Sequence, residues 1–186
     1  ARLRRDNPNC RCRELGAKRW ITDLLPIQGW YLYEAALHGG VLGHVAVGRG
    51  KTGIDILSGM VLPRVDPTRP LKIVLLVPPQ LRDQFHHDFE LWSQHFQVPN
   101  LAGGNARHFV KGRPTLDVLA YSELSHAKCA VWLSAKAPDV IICDEAQALA
   151  DPSSTRSGRF IDFFAARERH GAEKLLRSEE HTSELQ

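Results

Sequence analysis

Short unbroken apolar runs alternate along this chain with longer stretches whose apolar residues recur at helical spacing. Leu24–Leu37 carries Ile27, Trp30, Tyr31, Ala35 and Leu37 at near-helical steps, and Gly39-Gly40 closes it, which predicts a helix. Val41–Val47 is an apolar run of strand length, followed by a glycine-rich loop and a second helix from Lys51. That helix shows Ile54, Ile56, Leu57 and Met60 as its apolar side and stops before Pro63. Leu71–Val77 reads as a buried strand, and Pro78-Pro79 opens a helix predicted over Gln80–Phe96. Ala106–Val110 and Pro114–Ala120 read as two further strands and Tyr121–Ala137 as a helix. Asp139–Cys143 reads as a strand, and Ser153–Glu168 as a helix with Ser153 or Ser154 as N-cap. Alternating strands and helices of this kind predict an α/β domain with a mainly parallel sheet joined by right-handed crossovers. Sites in such sheets lie beyond the carboxyl ends of the strands.

Length and composition leave that picture intact. A chain of 186 residues supports one sizeable core, and 43% hydrophobic with 24% charged residues is an ordinary globular balance. The best apolar runs fall short of the roughly 18–20 residues of a membrane span. Ala1–Arg13 is polar with no hydrophobic segment behind it, so no signal peptide is expected and the expected location is cytoplasmic. Cys10, Cys12, Cys129 and Cys143 lack the spacing of a disulfide framework, and Cys10-x-Cys12 lacks the second pair of a zinc site.

Charge changes the picture at both ends. Residues 1–20 form a basic arm with Arg2, Arg4, Arg5, Arg11, Arg13, Lys18 and Arg19, a composition that suits nucleic acid or a solvated terminus. The core domain is placed at 21–170 and the end at 171–186. Within that end, 177–186 (RSEEHTSELQ) reads as the translation of a sequencing-adapter oligonucleotide, so a parent chain continuing further is expected. His86, His87 and His95 fall in one predicted helix but lack a metal-ligand pattern. Trp20, Trp30, Trp92 and Trp132 are expected to pack rather than to stack on bases.

Two stretches carry chemistry. Ala46–Gly53 (AVGRGKTG) lies between an apolar run and a helix and has the make-up of a phosphate-binding loop. Gly48 and Gly50 permit a turn that aims amide N–H groups at phosphate oxygens, with Val47 and Arg49 between them and Gly53 just beyond. Lys51 supplies the cation, Thr52 a hydroxyl for Mg2+, and the helix N-terminus its dipole. The usual leading glycine of the motif is replaced by Val45. Asp144-Glu145, 93 positions after Lys51, follows a strand directly. There Asp144 can hold Mg2+ through water while Glu145 orients and deprotonates an attacking water. Lys51 and Glu145 are the candidate catalytic residues, and Thr52 and Asp144 the candidate metal ligands, for ATP with Mg2+.

Leu25-Pro26-Ile27-Gln28, GRGKT, Leu76-Val77-Pro78-Pro79-Gln80-Leu81, Ala120-Tyr121-Ser122-Glu123-Leu124 and Asp144-Glu145-Ala146-Gln147 occur in that order. The set resembles the first motor domain of superfamily 2 helicases and translocases. It is most similar to the Swi/Snf-like branch and to phage-encoded helicases, over about Ile21–Phe164. The resemblance implies a three-layer RecA-like P-loop NTPase domain that hydrolyses ATP to drive movement on DNA, with RNA as the alternative track. It implies that Gln28 contacts the adenine edge and that Gln147 links the ATP site to a second RecA-like domain bearing arginine fingers. Val77–Leu81 and Tyr121–Leu124 would line the nucleic-acid track, although Leu81 and Tyr121 also fit a plain core. Without the second domain, weak nucleotide binding and poor hydrolysis are expected. A P-loop enzyme of another kind and a non-catalytic nucleic-acid-binding module are the alternatives.

Overall fold

The computed structural model describes residues 3, 4, 7, 9–11, 14, 23–41, 43–46, 48–64, 66–104 and 109–169, with side chains as far as 166. Val47, Cys12, Trp20, Arg2, Arg5, Arg13, Lys18, Arg19, positions 106–108 and the tail from 170 onward lie outside the described residues.

Four strands make one parallel sheet: β1 (Lys72–Val77), β2 (Asn100–Leu101), β3 (Thr115–Ala120) and β4 (Val140–Cys143), in the order β2-β3-β1-β4. β1 runs in register with β3 from Lys72↔Thr115 to Val77↔Ala120, and with β4 from Ile73↔Val140 to Leu76↔Cys143. Five helices accompany it: α1 (Pro26–His38), α2 (Lys51–Val61), α3 (Arg82–Ser93), α4 (Ala127–Lys136) and α5 (Thr155–Arg169). Because side chains alternate across a strand, Ile73, Leu75 and Val77 join one core with Tyr31, Leu57, Phe85 and Trp92 of α1–α3. Val74 and Leu76 join the other with Leu133, Phe160 and Phe163 of α4 and α5. The expected α/β architecture with a parallel sheet buried on both faces is therefore present. No described helix is long and apolar enough to cross a membrane.

Several expectations need correction. The run Val41–Val47 forms no strand among its described positions, 41 and 43–46. A small cleft of about 80 Å³ is lined by Val41, Gly43 and Val45 of this run and by Val140, Ile142 and Cys143 of β4. Ala106–Val110 fails as a strand at Phe109 and Val110, because the Asn100 side chain occupies the backbone of Val110. Asn100 Oδ1 accepts from the Val110 N–H (2.8 Å), and Nδ2 donates to its carbonyl (2.9 Å). The helix expected over Gln80–Phe96 is a 3-10 turn at Pro79–Leu81 followed by α3, which stops at Ser93. The helix expected over Tyr121–Ala137 divides likewise into a 3-10 turn (Tyr121–Ser125) and α4, with His126 extended between them. Ser154 does cap α5, its hydroxyl accepting from the Ser157 N–H at 3.3 Å.

Two helices bury other faces than the apolar spacing indicated. α1 buries Gln28, Tyr31, Leu32 and Ala35, whereas Ile27, Leu37 and Trp30 (52% exposed) face outward. Trp30 thus does not pack as expected. α2 is buried almost all round, and its buried set includes Asp55 and Ser58. Gly53 sits against α3, where an added Cβ would lie 2.2 Å from the Trp92 indole. Gly53→Ala is expected to destabilise the protein by about 1–3 kcal/mol, because a rigid buried ring must move even though alanine favours the helix. A thermal melt at unchanged or higher midpoint would show that the indole yields freely.

Among the described residues of the basic arm, Arg4, Asn9, Arg11 and Glu14 are exposed, while others touch the domain. Leu3 packs on the first core and its carbonyl accepts from the Gln97 N–H at 2.6 Å, while Arg4 bridges Phe96 in antiparallel fashion. Asn7 donates to Gln94, and the Cys10 thiol lies 2.9 Å from His95 Nε2.

Candidate nucleotide site

The loop between Ala46 and Lys51 turns through two left-handed glycines, Gly48 (φ 79°) and Gly50 (φ 72°). The Arg49 N–H reaches back to the Ala46 carbonyl (3.2 Å), and Gly50 serves as the N-cap of α2. Gly50 admits no side chain for a second reason, since a Cβ there would come within 2.3 Å of Gln28 Nε2. Thr52 occupies the first turn of α2, half-buried. The Gly53 N–H is taken by the Gly50 carbonyl at 3.0 Å, and its Cα faces Trp92, so Gly53 serves helix packing.

Gln28, 2% exposed, braces this loop from α1. Its Oε1 accepts from the Leu25 N–H at 2.8 Å and its Nε2 donates to the Gly50 carbonyl at 2.8 Å. A second strut runs from the Tyr31 hydroxyl to the His44 carbonyl at 3.1 Å. The amide that the resemblance assigned to an adenine edge is thus engaged in holding the glycine turn.

The carboxylates arrive from the sheet. The Asp144 N–H extends the ladder by donating to the Leu76 carbonyl at 2.9 Å, so Asp144 stands at the carboxyl edge of β4. Glu145 follows in the left-handed region at φ 61°, a conformation costly for a residue with a Cβ and concentrated at functional sites. Lys51 Nζ lies 2.5 Å from Glu145 Oε1 and 3.0 Å from Asp144 Oδ1. Gln147 donates to the other Glu145 oxygen, Oε2. The two motifs that the sequence separates by 93 positions therefore meet in one three-way ionic contact.

The electrostatics follow from burial and from this contact. Burial opposes the Lys51 charge, but its hydrogen bonds to Glu145 and Asp144 outweigh it and raise its pKa. Hydrogen bonds from Lys51 and then Gln147 hold the Glu145 carboxyl below its ordinary value. Asp144 is raised, because burial outweighs the pull of Lys51. Its Oδ1 is a buried oxygen with no well-aligned hydrogen bond, although the Lys51 charge is near.

One residue here, Asp55, was absent from the sequence-based reading, while Tyr121 was expected along the nucleic-acid track or in a plain core. Asp55, 8% exposed, lines the cleft on the same side of α2 as Lys51, with its pKa raised by burial and then by Asp144. The available signal was its position one helical turn after Lys51. Tyr121, 1% exposed, buries a hydroxyl without a hydrogen-bond partner, and burial followed by Cys143 pushes its pKa up. Leu81, by contrast, is half-buried beside α3. Among the described residues, no three His, Cys, Asp or Glu side chains converge closely enough to hold a metal by themselves. No protein-family model and no curated protein sequence matches this chain.

Proposed function

We propose that this chain is the ATP-binding half of a nucleic-acid motor of the superfamily 2 type, a RecA-like domain that binds ATP with Mg2+. The observation carrying the reading is the Lys51 ammonium suspended between Asp144 and Glu145 at the mouth of a glycine turn. A lysine in that place is a mobile cation that can exchange carboxylate oxygens for phosphate oxygens, leaving the acids free for their own tasks.

The donor set fits the cofactors. The amides of the Gly48–Lys51 turn and the start of α2 favour an anion. The Thr52 hydroxyl and Asp144, whose Oδ1 lacks an aligned donor, would hold Mg2+ with water completing the shell, as this ion prefers. Bound there, Mg2+ would neutralise charge on the phosphates. Glu145, kept ionised, would accept the proton of the attacking water once Lys51 has turned away. Gln147, hydrogen-bonded to Glu145 and exposed, is placed to report the state of that base to a second motor lobe. DNA, with RNA as the variant, is the substrate track that this reading assigns.

The test is equilibrium binding of a fluorescent ATP analogue to the full chain with and without Mg2+. Saturable binding that Mg2+ strengthens and that is retained in Glu145→Gln supports the reading, since that substitution removes the base and keeps the cradle. Absence of saturable binding up to millimolar nucleotide overturns it.

A further inference from the structure

Asp55 is a carboxylate without a job in the mechanism above, and its setting is an unusual one for an aspartate. It is more than nine-tenths buried in the middle of α2, flanked by Ile54, Ile56 and Leu57. It makes no hydrogen bond or ion pair, whereas the other buried aspartate, Asp139, accepts two bonds from Arg69 at 2.6 Å each and one from the Lys72 N–H at 2.8 Å. Its neighbours are the machinery itself: Lys51 stands one turn earlier on the helix, and Asp55 lines the cleft together with Lys51, Cys143 and Glu145. Lys51 is within ion-pair distance of Asp144 and Glu145 but not of Asp55. Burying a carboxylate without a partner beside other carboxylates is unfavourable, and so such a residue usually has a task.

Resting on the proposed function, we infer that Asp55 is a positioning residue of the Mg2+-nucleotide site that acts through Asp144. While Lys51 bridges the acidic pair, its ammonium offsets the charge gathered beneath the loop. When Lys51 swings to the phosphates, Asp144 and Asp55 are left together in a poorly solvated place, and a cation is drawn in to replace it. Asp55 thus makes the departure of Lys51 and the arrival of Mg2+ favour one another. It does so without touching the ion.

The experiment compares wild type, Asp55→Asn and Asp55→Glu in the full chain by Mg2+ titration of fluorescent-ATP binding, and by thermal melting without nucleotide. Asp55→Asn is expected to raise the Mg2+ concentration for half-maximal binding on the order of tenfold, the scale of a nearby charge acting through partly hydrated protein. Metal-free nucleotide binding should be unchanged or tighter, Asp55→Glu should restore most of the metal response, and the Asp55→Asn melting midpoint should equal or exceed that of wild type. An Asp55→Asn protein with the wild-type Mg2+ response overturns the inference alone. So does one that melts lower or fails to fold, since the carboxylate would then be structural. Wild type without saturable nucleotide binding overturns the proposed function and this inference together.

Discussion

Leu75→Ala is expected to cost about 3–5 kcal/mol and to leave the chain at the edge of folding, as read from a denaturant or thermal unfolding curve. Leu75 is fully buried at the centre of β1, opposite Val118 of β3 and Ile142 of β4, and it points into the core shared with α1–α3. Strands on both sides fix its backbone, so the walls of the resulting cavity cannot collapse and the loss falls at the severe end of such truncations. Sheets with both faces covered have no solvent side toward which a strand can shift. A loss under about 1.5 kcal/mol would mean that the sheet repacks as a loosely held layer.

Lys51→Ala is expected to weaken Mg2+-ATP binding on the order of a hundredfold, since charge-assisted hydrogen bonds contribute about 1.5–3 kcal/mol each. The same substitution takes away the cation that, among the described residues, pairs with Asp144 and Glu145. Asp144 then becomes a mostly buried acid beside Asp55 and Glu145, and stability should fall by about 1–3 kcal/mol at neutral pH. Acidification should recover part of that loss. In the variant, burial and like charge hold the carboxyl of Asp144 above its unfolded value, so the penalty is present at high pH and relieved as pH falls through the folded pKa. Melting curves at neutral and mildly acidic pH separate this from a simple lost contact, which would be independent of pH. Retained ATP affinity would remove Lys51 from the phosphate-binding role.

The parallel sheet was legible because Leu71–Val77, Pro114–Ala120 and Asp139–Cys143 are apolar through and through, as strands covered on both faces must be. Asp144 and Lys51 were legible because glycine, lysine and a post-strand acid each have a local signature. What escaped was set by distant partners. Val41–Val47 has the composition of a strand, but pairing is decided by a neighbour, and its described positions form no ladder. The buried face of α1 follows Gln28, which only a contact 22 residues away brings inward. β2 is two residues long, and its role rests on how Asn100 grips Val110. Asp55 reads as the polar interruption of an amphipathic helix until α2 is seen to be covered all round.

The gap between β4 and the Val41–Val45 stretch has a mechanical outcome. In place of a ladder of backbone bonds, the glycine turn hangs from α1 by the amide of Gln28 and the phenol of Tyr31. The position of the turn is therefore tied to α1, a helix whose outer side, with Trp30 and Leu37, is exposed.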